Sequence, residues 1–112
     1  MAASATNSVV ITITASAALT QYRAVTLAGA VPAAAAAGVF PVLVGAANGD
    51  AVGIVVVGTA IGEAGAAISA GALLEVDSSG RYITRTSGTI VGRALTAAGA
   101  SGDQIELLVI PS

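Results

Sequence analysis

Where the apolar and polar positions alternate along this chain, they do so with a period of two. Val9-Val10-Ile11-Thr12-Ile13-Thr14 is β-branched throughout, with Val9, Ile11 and Ile13 on one side and Thr12 and Thr14 on the other. Such a run predicts a strand with one buried face. Residues 1–8 are small and polar and predict a flexible arm leading into it. Residues 22–27 predict a second strand, ended by Gly29. Five alanines follow Pro32, too few for a stable helix, so residues 33–37 form either one helical turn or a loop. Residues 39–44 contain Pro41, the mark of an edge strand.

Asn48-Gly49 is a tight-turn signal between apolar stretches. Residues 52–57 (VGIVVV) are apolar on both faces and predict burial on both, with Gly53 at a bulge or a close backbone approach. Gly58, Gly62 and Gly65 read as turn glycines of a loop. The alternative is a short alanine-rich helix over 61–70. The last third predicts strands over 72–76, 81–85, 89–95 and 104–110, separated by turns at 77–80, 87–88 and 99–103. In the final strand Ile105, Leu107 and Val109 share one face, while Leu108 and Ile110 lie on the other beside Glu106. Short strands with turn signals at intervals of about 8–12 residues point to an all-β fold. The expectation is a small single-domain β-barrel or sandwich of short antiparallel strands with an extended N-terminal arm. Residues 1–14 would be the arm and first strand, and 15–112 the β-domain.

Composition removes most chemistry from this scaffold. The chain has 112 residues, which allows one domain, and it lacks Cys, His, Lys and Trp. Those absences exclude disulfides, thiolate and Schiff-base catalysis, a histidine general base and the usual zinc ligands. No cofactor is expected, and the chain does not read as an enzyme. Glu75 and Asp77 share one strand face, as the hydrophilic end of a strand entering a turn or as a weak cation site. Four scattered arginines on a chain of net charge −2, with Tyr22, Phe40 and Tyr82 as its aromatics, exclude nucleic acid as a partner.

A mean hydropathy of +0.92 raises the question of a membrane. Residues 24–49 carry no charge and are long enough to span a bilayer, but Gly29, Pro32, Gly38, Pro41 and Gly45 interrupt them. No basic flank or aromatic belt brackets the stretch beyond Tyr22 and Arg23, so no membrane partner is expected. Ala15-Ser16-Ala17 mimics a signal-peptidase site without a basic segment before it, which favours a soluble, intracellular product. Charged residues make up only 9% of the chain, so a monomer would expose much Ala, Val and Gly. Exposure of that kind marks an interface. Oligomerisation or docking onto a larger assembly accounts for it, with an alanine-coated monomer as the alternative.

The C-terminal half then resembles a known family. The run Ser69-Ala70-Gly71-Ala72-Leu73-Leu74-Glu75-Val76-Asp77-Ser78-Ser79-Gly80-Arg81-Tyr82-Ile83-Thr84 resembles a signature of phage capsid cement, or head decoration, proteins. Ile90-Val91-Gly92-Arg93-Ala94-Leu95-Thr96-Ala97-Ala98 and Ala100-Ser101-Gly102-Asp103-Gln104-Ile105-Glu106-Leu107-Leu108 are similar to that family's next two strands, in the same order. Asp50-Ala51-Val52-Gly53-Ile54-Val55 is similar to an upstream strand. Two departures stand out. Gly71-Ala72 lacks the family's acid, and the loop at 58–65 is less acidic.

The resemblance implies a structural protein of the virion, made in the host cytoplasm and carried on the outer capsid surface. Its implied partners are the major capsid protein and itself, as a homotrimer at local three-fold positions, reinforcing the shell after expansion. Ser8, Val9, Val10, Ile11, Thr12 and Ile13 are the expected capsid contacts, adding a strand to an exposed sheet edge. Val55, Val56, Val57, Leu107, Leu108 and Ile110 are the expected protomer-interface or core residues. The alternative function is a carbohydrate- or host-surface-binding module of a spike or fibre, for which only Tyr22 and Tyr82 supply aromatic side chains.

Overall fold

The computed structural model describes residues 7–111. Its strands are β1 (Asn7–Thr14), β2 (Ala24–Thr26), β3 (Val39–Pro41), β4 (Ala51–Glu63), β5 (Leu73–Val76), β6 (Tyr82–Thr84), β7 (Gly92–Ala94) and β8 (Gln104–Val109). Among the described residues there is no helix, and so none long and apolar enough to cross a membrane. Six strands form one antiparallel sheet in the order β1-β4-β8-β7-β5-β6, and β2 pairs with β3 in a second. The strand order ends at β1 and β6 without a closed barrel, although Ala64, just past β4, bridges to Tyr82 on β6; the all-β expectation holds.

The 13-residue strand β4 organises the sheet. Its first half pairs with β1, from Thr14 opposite Ala51 to Asn7 opposite Gly58, and its second half pairs with β8. Gly58 and Gly62 therefore lie inside a strand, where a loop or a helix over 61–70 was expected. Gly62 is there for space. A Cβ on it would stand 2.5 Å from a Leu107 methyl and 2.9 Å from the Tyr82 ring. Gly58 takes φ +104 beside two register shifts between β1 and β4, which is bulge geometry.

One continuous core includes Val25, Phe40, Ile54, Leu74, Val76, Tyr82, Ile105 and Leu107. The β2–β3 pair is fastened to the large sheet by a bridge from Val42 to Ile54 and by Ala24 N–H donating to Gly80 O at 2.7 Å. The five alanines form a turn, with Ala35 at φ +60 and its N–H donating to Val76 O at 2.8 Å. Asn48-Gly49 turns as expected.

Two expectations at the N-terminus need correcting. Asn7 and Ser8 belong to β1 rather than to a flexible arm, and residues 1–6 lie outside the described residues. The single buried face of β1 is also incomplete. Ile11 and Ile13 sit opposite the buried Ile54 and Val52, yet Ile13 is only half-buried and Ile11 is exposed. An edge strand has no neighbour on its outer side to complete the cover.

Candidate functional site

The β1 end of the sheet combines three features that rarely coexist on a finished surface. β1 is an edge strand, so its outward N–H and C=O groups lack a sheet partner among the described residues. Three of its side chains are apolar and open: Val9 is 43% exposed, Val10 44% and Ile11 37%. No charged side chain precedes Arg23, so this edge has none of the lysines or acids that usually guard one. Val57 on β4 and Leu108 on β8, the next two strands of the sheet, add exposed apolar surface.

Of the two groups expected separately from sequence, β1 meets the β4 residues, while Leu107 and Leu108 lie one strand further on, on β8. Val9 lies opposite Val57, and Val10 opposite Val55. Val55 and Leu107 are fully buried within the protomer and belong to its core. Val57 and Leu108 are exposed, and Val56 and Ile110 half-buried. Thr12 is exposed and opposite Gly53; Ser8 lies in β1, without a described side chain.

The other end of the sheet carries polar features that the sequence did not disclose. Glu75, on β5, is buried, and its Oε1 accepts from Thr86 N–H (2.6 Å), Thr86 Oγ1 (3.2 Å) and Gly88 N–H (3.2 Å). The Thr86 and Gly88 amides hold this carboxyl below its ordinary range, against the opposing pull of burial. The available signal was an acid amid the apolar run of β5, eleven residues before a Thr-Ser-Gly loop. Asp77 serves a different loop, its Oδ1 accepting from Ser79 N–H (2.8 Å) and Arg81 N–H (3.0 Å). With the two carboxylates turned to separate loops, the cation-site reading of the pair loses its geometry. Among the described residues no cluster of three potential metal-ligating side chains occurs.

Glu63 at the end of β4 joins two distant segments. Arg23 donates to it through Nε (3.3 Å) and Nη2 (3.2 Å), and Arg81 Nε lies 2.7 Å from Oε2 as a charge contact without hydrogen-bond alignment. Beside Arg23, a cleft of about 300 Å³ opens between the chain around Leu19 and the β5–β6 turn.

Comparison with known proteins agrees with this architecture. The family model described as phage cement protein matches residues 3–109. A solved structure, the N base of the head fiber gp8.5 of bacteriophage phi29, is similar in fold with a TM-score of 0.64. Its identity is 18%, over 91% of this chain and 93% of that one. No curated protein matches the chain.

Proposed function

The chain belongs to the phage cement protein family, structural components associated with the phage capsid, and on that premise we propose that it binds the outer surface of the head and stabilises the lattice of major capsid protein. The open, uncharged, apolar β1 edge carries this reading. A strand or loop of the shell laid along β1 satisfies its outward backbone groups and covers Val9, Val10 and Ile11 in one step. The mechanism is mechanical. Area buried across a joint between capsid subunits opposes the opening of that joint under internal pressure, with no bond made or broken in any side chain.

A homotrimer is the second part of the proposal. Val57 and Leu108, beside the docking edge, supply exposed apolar surface for a protomer contact, flanked by the half-buried Val56 and Ile110. The test is to titrate the protein onto undecorated, expanded capsids of its own phage. Saturation at a simple ratio to capsomers, with raised resistance to heat, is the expected result. Failure to bind any form of the shell overturns the proposal. Light scattering of the free protein at micromolar concentration tests the preformed trimer separately: a trimer mass is expected, and a monomer mass contradicts it.

A further inference from the structure

The cleft beside Arg23 has the attributes of a small binding site that shell docking does not use. Its floor is apolar, made by the buried Leu19 and Val42. Its rim is polar: Thr20, Arg23, Ser78 and Ser79, the three hydroxyl residues being exposed. About 300 Å³ lies at the small end of ligand sites, and the lining is more polar than apolar, which suits a hydroxylated ligand.

The rim is held in place before any ligand arrives. Tyr22, adjacent to Arg23, takes φ +68, a conformation costly for a non-glycine residue. Two backbone bonds hold it there, Tyr22 N–H to Val42 O at 2.9 Å and Glu63 N–H to Tyr22 O at 2.8 Å. Opposite, the turn bearing Ser78 and Ser79 is fixed by Asp77 and by Ala24 N–H on Gly80 O. Gly80, at φ +79, lets that turn approach: a Cβ there would meet Ala24 O at 2.7 Å.

Charge then selects the ligand. Arg23 and Arg81 both make their ion pair with the single carboxylate of Glu63. The Asp77 carboxylate accepts from two backbone amides. Arg23 is the one charged side chain lining the cleft among the described residues, and its Nη1 makes neither of the hydrogen bonds to Glu63. Oriented by Glu63 through Nε and Nη2, it can offer Nη1 to an acceptor in the cleft. We propose that this cleft binds a hydroxylated carboxylate, the chemistry of a uronic acid residue. The carboxylate meets Arg23, the sugar hydroxyls meet Thr20, Ser78 and Ser79, and the ring's apolar face lies on Leu19 and Val42.

The test is a titration of isotope-labelled protein with D-galacturonate, D-galactose and acetate, followed by amide chemical shifts. The expected result is saturable binding of galacturonate with Kd near 1 mM or tighter, with shifts centred on residues 18–24 and 78–80. Galactose and acetate should each bind at least about tenfold more weakly, for each offers half of the recognised chemistry. Ala18→Trp, at an exposed position on the cleft wall, should abolish binding while leaving the spectrum of the sheet intact. Arg23→Gln should remove the preference for galacturonate over galactose. Equal binding of the two sugars, shifts elsewhere, binding undiminished in Ala18→Trp, or no saturable binding overturns the proposal. None of these outcomes bears on capsid docking.

Discussion

The two ends of the six-stranded sheet are built to opposite rules. At one end, β1 presents Val9, Val10 and Ile11 to solvent from a chain segment without a single charge. At the other, β6 buries Tyr82 almost completely, and Ala64 runs beside Tyr82 as a parallel bridge. Around it Glu63, Glu75, Asp77, Arg81 and Arg85 all have polar partners within the protomer. The β6 end has satisfied its own edge. The β1 end leaves its outward backbone groups without a sheet partner and its apolar side chains exposed among the described residues. If the shell docks on β1 as proposed, stability and docking lie on different strands, and changes at each end should have different consequences.

The largest loss of stability is expected at the finished end. Tyr82→Ala empties space between Gly62 and Leu107 and should cost about 3–5 kcal/mol, in line with aromatic truncations in cores. Denaturant unfolding measures it. A cost below about 1 kcal/mol would mean that the β6 end contributes little to the fold. Leu107→Ala should follow at about 2–4 kcal/mol, because its fully buried side chain packs on the same glycine.

The next effect is dependent on pH. The Glu75 carboxyl titrates lower in the folded chain than in the unfolded one. Its contribution is therefore complete above the ordinary glutamate value, about 4.3, and is lost as pH falls through the lowered folded value. Arg85 is the charged side chain of the covering loop, donating through Nε to Gly88 O, and it stays protonated throughout. Glu75→Gln should lower the melting temperature at pH 7 and flatten its fall below pH 4. Equal acid limbs in the two proteins would show that another carboxylate controls acid unfolding.

The smallest effect on stability should come from the β1 end. Val10→Thr keeps the β-branched shape at an exposed site and should change stability by no more than about 0.5 kcal/mol. The same change should weaken binding to the shell by a measurable factor in a capsid titration. A substitution that costs more in folding than in docking would contradict the division between the two ends.

The strands were the most legible part of the sequence, because alternation and β-branching report backbone conformation directly. The C-terminal turns were equally clear, since Asp77-Ser78-Ser79-Gly80 and Gly99–Asp103 carry their own hydrogen-bonding side chains. What misled was glycine. Gly58 and Gly62 mark a bulge and a packing contact within β4, and the second requirement comes from Tyr82 and Leu107, far away in the chain. The strand order was likewise hidden, because pairing partners are long-range. Among the candidate docking residues, Val9 to Ile11 were found from their pattern. Their exposure was not, for a β-branched run reads the same at a covered edge and an open one. The partners of Glu75 could not be read either, since they lie on a loop folded back from beyond β6.

The most direct test of the docking edge is hydrogen–deuterium exchange of the protein free and bound to expanded capsids. Binding along β1 predicts new protection in residues 7–14, with peptides covering 82–89 exchanging at the same rate in both states. Unchanged exchange in 7–14 together with new protection over 82–89 would contradict the account, placing the shell at the end of the sheet that already satisfies itself.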